Sequence, residues 1–159
     1  MLATMIRKAH VCLAALTIAI PASVSVAIAN EAPAKAKLEF RIAKSEKTDG
    51  YEEAKVGDQT IWLARRAAIT DADVESAKVV PIEKDGVTRH QIEVALTVAG
   101  GEKMKQITGN NEGSMLAIVV DGKVLSAPII KARIGDRAVI TANFTKAEAE
   151  NLAKRINGK

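Results

Sequence analysis

The chain has 159 residues, 48% hydrophobic, 26% charged and 3% aromatic, with a formal net charge of +4. One cysteine and two histidines exclude a disulfide scaffold and leave little material for thiolate or imidazole metal sites. The near balance of 23 bases and 19 acids, with Phe40, Tyr51, Trp62 and Phe144 as the only aromatics, argues against nucleic-acid binding, which needs a basic stripe and stacking platforms.

The N-terminus reads as a targeting signal. Arg7 and Lys8 precede an apolar stretch over residues 11–20, Pro21 follows, and Ala27-Ile28-Ala29 is a small-x-small cleavage pattern. Residues 1–29 are therefore predicted to be a signal peptide cut between Ala29 and Asn30. An uncleaved anchor is the alternative, but the stretch is short for a span of about 20 residues. Cys12 and His10 fall in this leader, and His10-Val11 ahead of Cys12 does not fit a lipoprotein site. Removing Arg7 and Lys8, with no acid, lowers the net charge from +4 to +2. Expected is an exported, periplasmic protein without an integral membrane segment in the mature chain. At roughly 130 residues it can bury about two-thirds of its unfolded surface as a single domain.

Residues 30–37, rich in Ala, Lys and Pro, are predicted to be a tether, and 38–159 the folded domain. Leu38, Phe40 and Ile42 alternate with charge and predict a first strand. Residues 44–57 read as an exposed polar loop. Residues 60–64 predict a second strand, with Trp62 facing opposite to Ile61 and Leu63, either as a packing residue or as a binding-surface aromatic. Thr70-Asp-Ala-Asp73 is a capping-box pattern and predicts a short helix to residue 76 or 77. Residues 78–83 form a strand that Pro81 confines to an edge. Asp85-Gly86 marks a hairpin turn. In residues 88–98 one face carries Ile92, Val94, Leu96 and Val98. His90 shares that parity and, without a partner, reads as structural or exposed.

Met104 and Ile107 are three apart and predict a short helix over 100–107, followed by a turn over 108–114. The glycines at 100 and 101 lack the spacing of a nucleotide-binding loop. Next comes the strongest local signal, Leu116-Ala-Ile-Val-Val-Asp-Gly-Lys-Val-Leu-Ser-Ala-Pro128. Asp121-Gly122 between apolar runs predicts a two-residue type I′ hairpin, in which both turn residues take positive φ. The implied pairs are Val120 with Lys123, Val119 with Val124, Ile118 with Leu125 and Ala117 with Ser126. One face is apolar and the other only half polar, which places the hairpin inside a sheet. Pro128 ends its second strand or puts it on an edge. Residues 129–134 read as an extended connector and 137–140 as a last strand. Thr145 and Glu148 form a second capping box, opening a helix with Ala149, Leu152, Ala153 and Ile156 on its inner face and Gly158 at its end. The class is α+β: a mixed, mostly antiparallel sheet with two to three helices on one face.

Several of these residues carry a resemblance. Gly100, Met104, Ile107-Thr108, Asn111, Gly113, the run 116–128, Ile134-Gly135, Ala138, Ile140, Asn143-Phe144-Thr145, Glu148-Ala149 and Leu152-Ala153 resemble the head subdomain of the first periplasmic domain of SecD and SecDF, accessory subunits of the protein-export machinery. Residues 38–42 and 69–73 resemble upstream parts less specifically. Ala142 and Asp136 stand where such proteins usually have glycine. In those subunits a membrane helix follows the module, whereas this sequence ends at Lys159, so the expectation is a stand-alone exported module.

Three functions are weighed. The resemblance implies a non-enzymatic module binding an extended polypeptide or a Sec-type membrane partner. Strand addition at a sheet edge is a physical mode for this, with the Pro81 strand or the connector as edges and Trp62, Ile129 and Ile130 as contacts. The alternative is an envelope assembly or stability factor docking on a membrane complex, unrelated to translocation, which calls for a large exposed apolar patch. Catalysis has poor candidates and no cofactor or metal is expected: no nucleophile–His–acid set is apparent around His90, the one histidine outside the leader, and Asp71, Asp73 and Asp121 are explained by helix-terminal electrostatics and turn geometry.

Overall fold

A computed structural model describes residues 34–158. The expected signal peptide with its Ala29–Asn30 cleavage site, and the first part of the expected tether, lie outside the described residues. The described residues build nine strands and two helices: β1 (Leu38–Lys44), β2 (Tyr51–Val56), β3 (Gln59–Ala64), β4 (Ile69–Thr70), β5 (Val74–Lys84), β6 (Val87–Leu96), α1 (Val98–Asn110), β7 (Met115–Val120), β8 (Lys123–Ser126), β9 (Arg137–Phe144) and α2 (Lys146–Ile156). They form one sheet ordered β2-β3-β1-β7-β8, with β4 also on β1, and a second ordered β5-β6-β9. Every pairing is antiparallel. The α+β class is as expected, with the strands divided between two sheets.

Alternation within strands explains two cores. Leu38, Phe40 and Ile42 from β1, Leu116, Ile118 and Val120 from β7, and Ile92, Val94 and Leu96 from β6 meet Met104 of α1 and Ala149, Leu152, Ala153 and Ile156 of α2. Each large side chain in this cluster contributes roughly 1.5–3 kcal/mol by leaving water. The opposite parity of the first sheet buries Ala43, Ile61, Leu63, Ala117 and Val119 in a second cluster. The first sheet is thus buried on both faces, which accounts for the half-apolar second face of the 116–126 hairpin. Small residues at 43, 54, 117 and 127 line that side, and the sheet curls until β2 lies against β8.

Several expectations are corrected. Residues 51–56 are not loop but strand, paired with β3 from Tyr51–Ala64 to Val56–Gln59. Glu52, Glu53 and Lys55 give this edge strand a polar composition, and its ladder comes entirely from a partner beyond the Gly57 turn. The Thr70 box produces only a 3₁₀ turn over Asp71–Asp73 before β5 begins. Thr70 N–H does donate to Asp73 Oδ2 at 3.1 Å, but Val74, Ser76 and Ala77 gain ladder positions opposite Leu96, Ala95 and Val94 of β6 that a helix would forfeit. Val98 does not extend β6; it is exposed at 86% in the first turn of α1. That helix runs on to Asn110, through part of the expected turn, and β9 reaches Phe144 rather than residue 140. Residues 34–37 belong to the fold: Ala36 is buried in the main core.

The predicted hairpin register holds for Val120–Lys123 and Val119–Val124, then shifts. Ile118 pairs with Ser126, not Leu125. The extra residue is a bulge, which bends a strand and increases its twist, as the curled sheet requires here. The hairpin is inside the sheet only through β7; β8 is its edge.

The paired glycines of α1 have a packing reason. A Cβ on Gly100 would stand 2.6 Å from the Asp73 carbonyl oxygen, and one on Gly101 3.1 Å from the Asp136 Cα. Thr97 caps the helix by accepting from Gly100 N–H at 3.0 Å. Buried Thr108 links α1 to the connector, donating to the Met104 carbonyl at 2.7 Å and accepting from Ile134 N–H at 2.9 Å. No helix among the described residues is long and apolar enough to cross a membrane.

Candidate functional site

Strand β8 offers the site with the clearest chemistry. Its inner edge is hydrogen-bonded to β7; among the described residues no strand pairs with its outer edge. Val120–Lys123 closes the two-residue turn and Val119–Val124 is the next pair, so the Val124 N–H and C=O point away from β7. Two adjoining depressions border β8 and share Leu125. One, of about 510 Å³, lies between the hairpin tip and α2 and is lined by Val120, Leu125 and Leu152, with Asp121, Lys123, Glu148 and Arg155 at its margin. The other, of about 570 Å³, is lined by Ser126, Ala127 and Pro128, by Val139 and Thr141 of β9, and by Val56, Gly57 and Gln59 of the β2–β3 turn. From Lys123 to Pro128 the five residue steps span roughly 17 Å at about 3.3 Å per residue.

Local chemistry fixes its walls. Asp121 and Gly122 have φ of 49° and 81°, as the type I′ turn demands. Asp121 also does something its turn does not require. Its Oδ1 accepts from Lys37 N–H at 3.0 Å and its Oδ2 from Arg155 Nη2 at 2.6 Å. The Lys37 amide and then Arg155 hold its carboxyl below the usual range. At the start of α2, the Glu148 carboxylate accepts from the Thr145 N–H and hydroxyl, both at 2.8 Å, and those bonds lower it as well. Phe144 packs against the main core at the end of β9. The Pro128 carbonyl accepts from Leu116 N–H at 2.8 Å, pinning the far end of the groove.

The contacts expected from sequence are not brought together. Trp62 is half-buried, with Lys47 Nζ 5.7 Å from its ring centroid, and is not among the residues lining the groove. Ile129 is exposed at 59% and borders a separate depression of about 370 Å³ with Lys44, Glu46 and Met115. Ile130 is core: it is 3% exposed and its N–H donates to the Ser114 carbonyl at 2.8 Å, so it is not a surface contact. Arg155 was legible only as a cation in the last turn of a helix. Its pairing with Asp121 has no local signature in the sequence.

The two buried carboxylates among the described residues, Glu39 and Asp73, are not poised as general acids. Burial pushes Asp73 and Glu39 up, but hydrogen bonds and charge from Lys103 and Thr70, and from Lys37 and Arg41, outweigh it and leave both lowered. A general acid near neutrality needs the opposite shift. Among the described residues no group of three or more His, Cys, Asp or Glu is placed to hold a metal.

Fold and site define an antiparallel α+β module with a groove along one free strand edge. The family described as SecDF, P1 head subdomain matches residues 46–158. The SecD translocase subunit of Aquifex aeolicus is 37% identical over 97 residues, covering 61% of this chain and 19% of that protein. That of Koribacter versatilis is 32% identical over 109 residues, covering 68% of this chain and 20% of that protein. A solved SecDF structure, described as a membrane component that enhances protein export, superposes with a TM-score of 0.61 at 26% identity, covering 79% of this chain and 63% of that one. SecDF in a super-membrane-facing form gives a TM-score of 0.62 at 28% identity over 77% of this chain and 19% of that one. The chain belongs to the SecDF P1 head subdomain family. It spans about a fifth of the length of these curated relatives.

Proposed function

We propose that this chain is a non-enzymatic periplasmic binding module acting in protein export, and that it holds extended polypeptide as an added strand on β8. The observation that carries this reading is the unpaired outer edge of β8 beside two depressions that share Leu125, the one against α2 mostly apolar. Strand addition supplies main-chain hydrogen bonds that do not depend on sequence, which suits a partner required to accept many unfolded chains. The family membership and the SecDF relative described as enhancing protein export supply the process, and Sec components are the natural neighbours. A docking factor for a membrane complex calls instead for one contiguous apolar patch. The large exposed apolar residues Val87, Val98 and Val139 belong to three different elements, and Ile129 to the connector between β8 and β9.

The test is cross-linking in cells. A photoreactive residue replacing Lys123 or Val139 is expected to capture nascent exported chains, and one replacing Val87 is not. Capture at neither groove position, or equal capture at all three, removes the groove as the binding site.

A further inference from the structure

We propose that residues 34–37 are a clasp that sets the apolar end of the β8 groove, so that the chain ahead of β1 is coupled to polypeptide binding. This rests on the groove being the polypeptide site, and it assigns that site its regulation.

Three segments distant in sequence meet at one point. The groove's apolar end has two walls: the hairpin tip with Val120 and Leu125, and α2 with Leu152 and Arg155. Residues 34–37 bond to both. Lys37 exchanges bonds with the tip, its N–H donating to Asp121 Oδ1 and its carbonyl accepting from Asp121 N–H, each at 3.0 Å. Ala36 N–H donates to the Arg155 carbonyl at 3.0 Å, and Arg155 Nε donates to the Ala34 carbonyl at 3.0 Å. The Arg155 guanidinium then closes the ring on Asp121 Oδ2.

Alone, the Arg155–Asp121 pair is a partly exposed surface bridge, with side chains 26% and 43% accessible, and such pairs stabilise little. The added segment changes that. It occupies the second carboxylate oxygen and immobilises the guanidinium, and it is anchored by the buried Ala36 side chain. A weak pair becomes a connected network in which each bond orders the next. Residues 34–37 therefore hold the spacing between the groove's walls, and loosening them loosens the groove.

The experiment compares the full chain with Arg155→Met, which keeps the apolar stem and removes the donors. Asp121→Asn is the second variant, keeping a turn-competent residue and removing the charge. Lys35→Met is the control, because it breaks the exposed Lys35–Asp71 bridge on the same segment without touching the groove. Two readouts are used: amide exchange, and affinity for a fluorescent extended peptide of alternating valine and serine. Expected in both variants are exchange about tenfold faster at Ala36, Lys37 and Asp121 together, a local opening rather than global unfolding, and peptide affinity lowered several-fold, with Lys35→Met unchanged in affinity. Weaker affinity with unchanged exchange at Ala36 and Lys37 makes Arg155 only a wall contact and overturns the clasp. Faster exchange with unchanged affinity overturns the coupling and leaves the groove standing. A parent chain that binds no peptide brings down the groove and its regulation together.

Discussion

The two Asp-Gly hairpins use the same dipeptide for opposite ends. Both turns have the same backbone, with φ of 55° and 74° at Asp85 and Gly86 and of 49° and 81° at Asp121 and Gly122. Around Gly122, β7 is buried along five of its six residues and Asp121 ties the tip to the start of β1 and the end of α2. Around Gly86, β9 pairs with β6 only from His90 onward, so residues 81–89 form a two-stranded arm with Val87 exposed at 54%. An isolated hairpin is marginal in water, whereas one packed on both faces is not. The turn sequence decides the local bend; the flanking residues decide whether that bend matters.

Placing valine at each turn glycine is the strongest way to break this contrast. Glycine alone tolerates these φ values freely, and a β-branched residue there is strained by about 2–3 kcal/mol. Gly122→Val is expected to lower global stability by nearly that amount, because the turn cannot relax without opening both cores. Gly86→Val is expected to cost less than about 1 kcal/mol globally, since the arm can fray locally while the domain stays folded. Denaturant melts of the two variants decide this. Equal losses mean that the arm is integral to the folding unit and the contrast fails.

A smaller effect separates the aspartates. Asp121→Ala removes the acceptor for Lys37 N–H and for Arg155. Bonds to a charged group contribute about 1.5–3 kcal/mol when shielded, and this partly exposed site warrants about 1 kcal/mol. Asp85→Ala is expected to fall within about 0.5 kcal/mol of the parent, as surface changes usually do. Thermal melts of the pair sharpen the claim that Asp121 is a tertiary anchor and not merely a turn residue.

What was legible in the sequence follows the same division. Helix α2 could be read from Thr145, Glu148 and the spacing of Ala149, Leu152, Ala153 and Ile156, because cap and stripe are local signals, and all four of those inner residues are buried. Both hairpins could be read because a positive-φ turn needs particular residues. Strand β2 could not, since Glu52, Glu53 and Lys55 obey solvent on an edge rather than a core. The Thr70 box misled because capping is a local preference, and the ladder between β5 and β6 overrides it. The groove is assembled from β8, β9, α2 and the β2–β3 turn, and its clasp joins Ala34 to Arg155 across 121 positions. No window of sequence contains either.

The smallest effect is on pH dependence, and its sign is fixed by the bonds to Asp121. The Lys37 amide and Arg155 lower the folded carboxyl, so its contribution is fully present above the unfolded value of about 3.9 and is lost as pH falls through the lower folded value. Glu39, Asp73 and Glu148 are lowered too, so the parent should lose stability steadily on acidification below about pH 4. Asp121→Asn keeps those three carboxylates and isolates the fourth. It is expected to be less stable than the parent at pH 7 by under about 1 kcal/mol, and the gap should close toward pH 2, where a protonated Asp121 and an asparagine are equally uncharged. Denaturant midpoints of the two chains from pH 7 to pH 2 measure it. A gap that stays constant across the range would mean that the carboxylate contributes by shape and not by charge, and Asp121 would then differ from Asp85 only in touching more neighbours.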